Sequence, residues 1–407
     1  MTDQPGPKRP EQNSSLQDKS ASLPLEGLEW DETVSASNRF ALDMYRELAK
    51  EKGNIFFSPW SLSYALAMTC EGARGRTREE MRSVLHFSAS ESTRRRSFSL
   101  IDNRLNASDS GYALHSANAL WVEKSFPLEE EYTDLLVETY HARATNLDFI
   151  NASEKSRRII NSWVEEKTLG KIKELIPPNV IDELTRLIIT NAIYFKGSWR
   201  LEFDRKLTAK EDFFTGQGRT VAVPMMRRLD DNASFGYFEY EGMQVLKMPY
   251  LGDRLSLTII LPRNNDLAPL EATLDAETLS RWRMGLVERR VDVYIPKFKV
   301  ASNYLLNESL IKLGMPTAFD DSAADFTGLS IKWGRLLYIS RVFHQAHIEV
   351  NEEGTEAAAA TAVVIKYRCL PPKPPVFRAD RPFIFMITDD ETGLILFLGR
   401  VNDPGAD

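Results

Sequence analysis

The chain has 407 residues, 43% of them apolar and 27% charged, with a formal net charge of −7. That balance suits a globular core of useful size and argues against general nucleic-acid binding, which runs on basic surface. No stretch approaches the roughly 18–20 apolar residues of a membrane helix, so no membrane partner is expected. The first residues, MTDQPGPKRPEQNSSLQDKSASLPLEG, carry no apolar segment of a secretory leader. The expected location is therefore the cytoplasm, with an extracellular one as the alternative. Cys70 and Cys369, the two cysteines, make no disulfide framework and read as free thiols in a reducing compartment.

Residues 1 to about 30 are rich in Pro, Ser, Gln and charge and read as a disordered extension. Order is expected from near Thr33, where Phe40, Ala41, Met44, Tyr45 and Leu48 share one helical face and Gly53 ends the helix. Ser58-Pro59 opens a second helix, with serine as cap and proline at the first position. Its body, WSLSYALAMTCEGA, is apolar almost all round and should be buried. Thr77 to Glu80 resembles a capping box. Residues 112–123 read as a strand, and 153–168 as a helix that buries Ile159, Ile160, Trp163 and Val164. LIITNAIYFKG, ending at Gly197, has the nearly continuous apolar run of a central strand covered on both faces. SFGYFEY, MQVLKMPY, LSLTIILP and VDVYIPKFKV follow as short β runs, and their turn residues suggest antiparallel sheets. A last helix is expected over Leu305 to Leu313, then strands in RPFIFMITD and GLILFLGRV. Helices early and strands late predict an α+β fold with more than one sheet, in one domain over residues 31–407.

An enzyme needs a nucleophile, a base or a metal. There is no G-x-S-x-G elbow, no phosphate-binding G-x-x-x-x-G-K-[ST] loop and no H-E-x-x-H. Of the five histidines, only His344 and His347 lie close together, and that spacing in a strand sends the rings to opposite faces. No catalytic residue, metal or cofactor is expected.

One stretch breaks the rules of a packed domain. It runs from Glu352 through EGTEAAAATAVVIKYRCLPPKPP to Val376. The plain reading is a surface loop with a helical turn over the alanines. Against it, the alternate positions Thr355, Ala357, Ala359, Thr361 and Val363 are small or β-branched, with no charge among them. As a strand, the segment would present a face able to pack on a core. At about 3.3 Å per residue, Gly354 to Arg368 would span roughly 50 Å, the length of a whole sheet. A loop that can become a full-length strand is a stored conformational change.

The chain here resembles the serpins, from about residue 33 to 404. The matching motifs are NIFFSPWSLSYALAMTCEGARGRT (54–77), INSWVEEKTLGKIKELI (160–176), TNAIYFKGSWRLEF (190–203), HIEVNEEGTEAAAAT (347–361) and FRADRPFIFMI (377–387). The resemblance implies helices around three β-sheets, with an exposed reactive-centre loop over about 352–376. It also implies a suicide-substrate mechanism. A serine protease acylates the loop, and the cut loop inserts into the main sheet and traps the covalent complex. The hinge residues Glu352, Gly354, Thr355, Glu356, Ala357, Ala358, Ala359, Ala360 and Thr361 match inhibitory members, whereas noninhibitory ones often carry bulky, charged or proline residues there. Counting along the loop places the reactive bond at Arg368–Cys369 and implies a trypsin-like target. Cleavage after Tyr367, with a chymotrypsin-like target, and cleavage after Lys366 are the competing registers. Ser58, Ser61, Asn191 and His344 match the polar cluster beneath the sheet's opening region. Trp199 matches a tryptophan at the top of that sheet, where Lys297 and Glu352 are expected to pair. The implied state is a monomer able to form loop–sheet polymers. The alternative function is a noninhibitory binding or chaperone protein on the same fold. Arg94, Arg95, Arg96 and Arg104 lie where some members bind polyanions, but such a run reads first as a solvated face.

Overall fold

The computed structural model describes residues 25–106, 111–355 and 373–406. Helix α1 (Leu25–Leu48) is followed by β1 (Ile55–Phe57), α2 (Pro59–Gly72), α3 (Gly75–Val84) and α4 (Glu91–Leu105). Next come β2 (Tyr112–Glu123), α5 (Glu130–Tyr140), β3 (Arg143–Leu147), α6 (Phe149–Lys167) and β4 (Leu187–Ser198). The strand-rich half holds β5 (Ala209–Phe214), β6 (Thr220–Arg228), β7 (Ser234–Tyr240), β8 (Met243–Pro249) and β9 (Leu255–Pro262). After α7 (Ala268–Ala272) and α8 (Ala276–Gly285) come β10 (Val287–Arg290), β11 (Asp292–Pro296), β12 (Phe298–Leu305) and α9 (Asn307–Leu313). The chain ends with β13 (Ile339–Val350), β14 (Gly354–Thr355), β15 (Val376–Arg378), β16 (Phe383–Asp389) and β17 (Ile395–Val401).

Three sheets result, as the α+β reading requires. The main sheet runs β12-β13-β4-β2-β3, with β14 paired to β4; the others run β1-β17-β16-β9-β8-β7-β10 and β15-β11-β6-β5. One apolar core joins α1 and α2 to the inner face of the main sheet and to the seven-stranded sheet. A second core lies under α6 and unites Trp121, Phe149, Ile160, Val164, Ile188 and Phe343. The buried Glu123 carboxylate accepts backbone N–H bonds from Phe149 (2.6 Å) and Ile150 (3.3 Å) and so pins the first turn of α6, where a negative charge is favoured.

Several expectations are corrected. Helix α1 starts at Leu25, ahead of Thr33, because extending a packed helix costs far less than nucleating one. Thr77 lies inside α3 rather than capping it; its hydroxyl accepts from Asp325 N, and Glu80 accepts from Thr317. Ile159 is exposed and Trp163 only half-buried, so α6 buries a narrower stripe than expected. VDVYIPKFKV is two strands: Pro296-Lys297 separates β11 in the four-stranded sheet from β12 in the main sheet. The sheets are not wholly antiparallel either. β13 with β4, β2 with β3, and β11 with β15 run parallel. For β2 and β3, α5 supplies the crossover that a parallel pair needs.

Of the arginines Arg94, Arg95, Arg96 and Arg104, only Arg96 is exposed to solvent. Arg94 is 2% exposed and donates to Glu71 Oε1 (2.8 Å), while Arg95 donates to Glu71 Oε2 (2.7 Å). Arg104 pairs with Glu391 and covers the Trp30 ring. Cys70 is a free thiol, and burial pushes its pKa up to about 11, which keeps it inert. Among the described residues, no helix is long and apolar enough to cross a membrane.

Candidate functional site

The site is the seam between β13 and β4. These strands pair in parallel from Ile339 opposite Leu187 to His347 opposite Tyr194. Above that point they part. The upper end of β4 pairs instead with β14, antiparallel, with Gly354 opposite Ser198 and Thr355 opposite Gly197. The chain leaves β13, turns over residues 351–354 and comes back down into the seam. Only glycine fits at 354. Its φ is +150°, and a Cβ would stand 2.1 Å from the Gly197 carbonyl oxygen.

The turn is held on every side. Trp199 donates its indole N–H to the Asn351 carbonyl (2.9 Å), and its backbone N–H to Glu353 O (3.0 Å). Its ring stacks on Tyr250, with centroids 4.6 Å apart. The Tyr250 hydroxyl bonds the Thr355 hydroxyl at 2.8 Å, and both residues are fully buried. Lys297 Nζ lies 2.9 Å from Glu352 Oε2, as expected, and Thr208 donates to the other carboxylate oxygen (2.8 Å). Burial alone would raise the Glu352 pKa; the bonds from Lys297 and Thr208 outweigh it and hold the carboxyl below its ordinary range.

Lower in the seam the four predicted polar residues meet. Ser58 caps α2, accepting from Ser61 N (3.2 Å), and donates its hydroxyl to Leu396 O (2.7 Å). The Ser58 backbone N–H donates to His344 Nε2 (3.1 Å). That leaves His344 Nδ1–H to donate to Asn191 Oδ1, across the seam. Asn191 Nδ2 donates to Ser61 Oγ (2.6 Å) and to Asn118 Oδ1. Sequence reasoning missed Asn118, Tyr250, Thr208 and Asn351. Asn118 alone carried a signal, a polar residue at an inward position of an apolar strand. His347 lies on the other side of β13, its ring beside Tyr194, so the two histidines do face apart.

Burial drives the His344 pKa down to about 3. The unfolded chain binds that proton near pH 6.5, the folded one only near 3. Each pH unit between them therefore removes about 1.4 kcal/mol of stability as pH falls. In NMR the His344 ring is expected to stay neutral from pH 8 to 5, while the unfolding midpoint drops over the same range. A His344 titration near 6.5 would contradict this geometry.

Residues 356–372, which include Glu356 to Thr361 of the hinge and the Arg368–Cys369 bond, lie outside the described residues.

A three-sheet α+β fold whose main sheet takes Gly354–Thr355 in between two parallel strands is the architecture of one class of protein. The chain belongs to the serpin family: the family model, described as serpin (serine protease inhibitor), matches residues 35–404. It is 42% identical to an uncharacterised serpin-like protein of Thermococcus kodakarensis, over 91% of this chain and 85% of that one. It is 41% identical to the leukocyte elastase inhibitor of Sus scrofa, over 92% of this chain and all (100%) of that one. The crystal structure of a highly specific serpin from the insect Tenebrio molitor superposes with a TM-score of 0.81 at 35% identity, over 91% of this chain and 98% of that one.

Proposed function

We propose that this chain is a suicide-substrate inhibitor of trypsin-like serine proteases. The pairing of Gly354–Thr355 with Gly197–Ser198 supports the reading most directly, because it supplies both an insertion point and a register. In that register each further loop residue meets one residue earlier on β4, so Thr361 comes opposite Asn191 and Ile365 opposite Leu187. Residues of the same parity as Thr355 share its face. They are Ala357, Ala359, Thr361, Val363 and Ile365, none of them charged. Because Thr355 faces inward against Tyr250, that face goes to the core.

Insertion separates β13 from β4 by one strand, and adjacent strands lie about 4.8 Å apart. The His344–Asn191 hydrogen bond must then break. The network holds the seam shut with neutral groups, which can re-pair without leaving a buried charge. Arg368 fills the acidic specificity pocket of the protease and is acylated at its carbonyl; insertion then drags the acyl-enzyme out of alignment. The protein acts as a substrate that stalls the enzyme.

Incubation with trypsin, followed by mass determination of the released C-terminal fragment, tests the assignment. The fragment is expected to begin at Cys369, with trypsin lost faster than chymotrypsin. A trypsin fragment beginning at Tyr367 would move the bond to Lys366; faster loss of chymotrypsin, with its own fragment beginning at Arg368, would transfer the role to Tyr367.

A further inference from the structure

A cleft of about 500 Å³ opens where β7 and β10 meet the end of the long loop, lined by Tyr237, Phe238, Val287, Arg289, Lys373 and Pro375. Its walls are fixed. β10 pairs with β7, with Val287 opposite Tyr237. The end of the loop is tied down beside them: Pro375 O accepts from Asp292 N (2.9 Å), and Val376 O accepts from Gln244 Nε2 (3.0 Å). Gln244 Nε2 also donates to the Tyr237 hydroxyl oxygen (2.8 Å), so one side chain joins the loop to β7.

The charges around the cleft do not cancel. Glu239 accepts from the Tyr237 hydroxyl (2.7 Å) and pairs with Arg263. Glu288 pairs with Arg200 (3.2 Å), and Arg290 with Asp231 (3.3 Å). Arg289 and Lys373 are exposed and have no ion pair among the described residues; the Arg289 guanidinium lies 6.0 Å from the centroid of the Tyr237 ring. Two unmatched cations beside Val287, itself 62% exposed, suit a partner that brings carboxylates. Chain length decides which partner arrives. The five residues from Arg368 to Lys373 span at most about 18 Å. A protease–inhibitor interface covers about 800 Å² on each partner, a patch roughly 30 Å across. An enzyme holding the Arg368–Cys369 bond therefore brings its rim to the cleft.

We propose that the cleft is a second docking surface for the target protease. It takes a carboxylate-bearing surface loop that flanks the enzyme's active site on the side of the residues after the cut. Arg289 and Lys373 meet the carboxylates, and Val287 and Pro375 meet the apolar body of that loop. Rim charges act chiefly on the rate of encounter. The cleft thus selects among trypsin-like enzymes that all accept Arg368. This rests on the proposed function for the position of the bond alone, because trapping and simple cleavage begin with the same encounter.

The probe is a panel of trypsin-like proteases whose flanking loop runs from carboxylate-bearing to lysine-bearing, reacted with the full chain at low ionic strength. Each second-order rate is divided by that protease's kcat/KM on a free peptide of residues 362–372, which carries the bond without the cleft. The ratio is expected to be at least about ten-fold higher for the most acidic loop than for the most basic. The order should reverse in the double variant Arg289→Glu, Lys373→Glu, whose two exposed positions leave the fold intact. If no covalent complex forms, the rate of loop cleavage supplies the same ratio, so failure of the inhibitory function and failure of the docking surface are told apart. A ratio indifferent to loop charge, or one that keeps its order and spread in the double variant, would overturn the proposal. So would a dimer that the double variant dissolves while protease rates stay unchanged, since the cleft would then belong to a second copy.

Discussion

Replacing Thr355 with arginine is expected to turn the protein from an inhibitor of trypsin into a substrate. Thr355 is fully buried, hydrogen-bonded to Tyr250, and opposite Gly197 on β4. Every inserted strand must begin there. An arginine would bring an unpaired charge into a site whose neighbours are Tyr250 and the Trp199 ring stacked on it, at a cost of several kcal/mol. If insertion slows by a barrier of about 4 kcal/mol, its rate falls on the order of a thousand-fold. Deacylation then wins the race, and the protease leaves intact. Titration of active trypsin should show at least ten-fold more Thr355→Arg protein consumed per enzyme lost. Unchanged stoichiometry would contradict the insertion account.

Cutting the loop without trapping a protease should raise the unfolding midpoint by on the order of 10–20 °C. The register from Thr355 to Ile365 offers about ten new backbone hydrogen bonds, each worth about 1 kcal/mol net, so about 10 kcal/mol in all. Unfolding shifts by about 2 °C or less per kcal/mol in a chain of this length. The uncut form is then held by a barrier, not by being the lowest state. Calorimetric scans before and after limited loop proteolysis measure the difference. An unchanged or lowered midpoint would mean that the cut loop stays outside the sheet.

Much of the scaffold was legible in the sequence, and the reasons are local. Strand β2 and the capped helix α2 carry their signals in consecutive residues. The doubly covered β4 shows as an unbroken apolar run. The failures lie where tertiary contacts override local pattern. Pro296-Lys297 breaks one β run into two sheets, a choice no period-2 pattern encodes. Arg94 looked solvated until Glu71, twenty-three residues earlier, was placed against it. Ser58, Ser61, Asn191 and His344 were singled out through the family motifs, because their hydrogen bonds join α2, β4 and β13, far apart in the chain. Thr355 shows in the sequence as one of a row of small or β-branched residues; its partner Tyr250, 105 residues away, leaves no sequence signal.

One gel tests whether the seam between β13 and β4 takes up the cut loop with the protease attached. Equimolar protein and trypsin, quenched in SDS and run under denaturing conditions, should give a covalent band at the summed mass of protein and protease, with residual trypsin activity lost in proportion. Clean cleavage of the loop with trypsin fully active and no such band would contradict the account and leave a cleavable binding protein on a serpin fold.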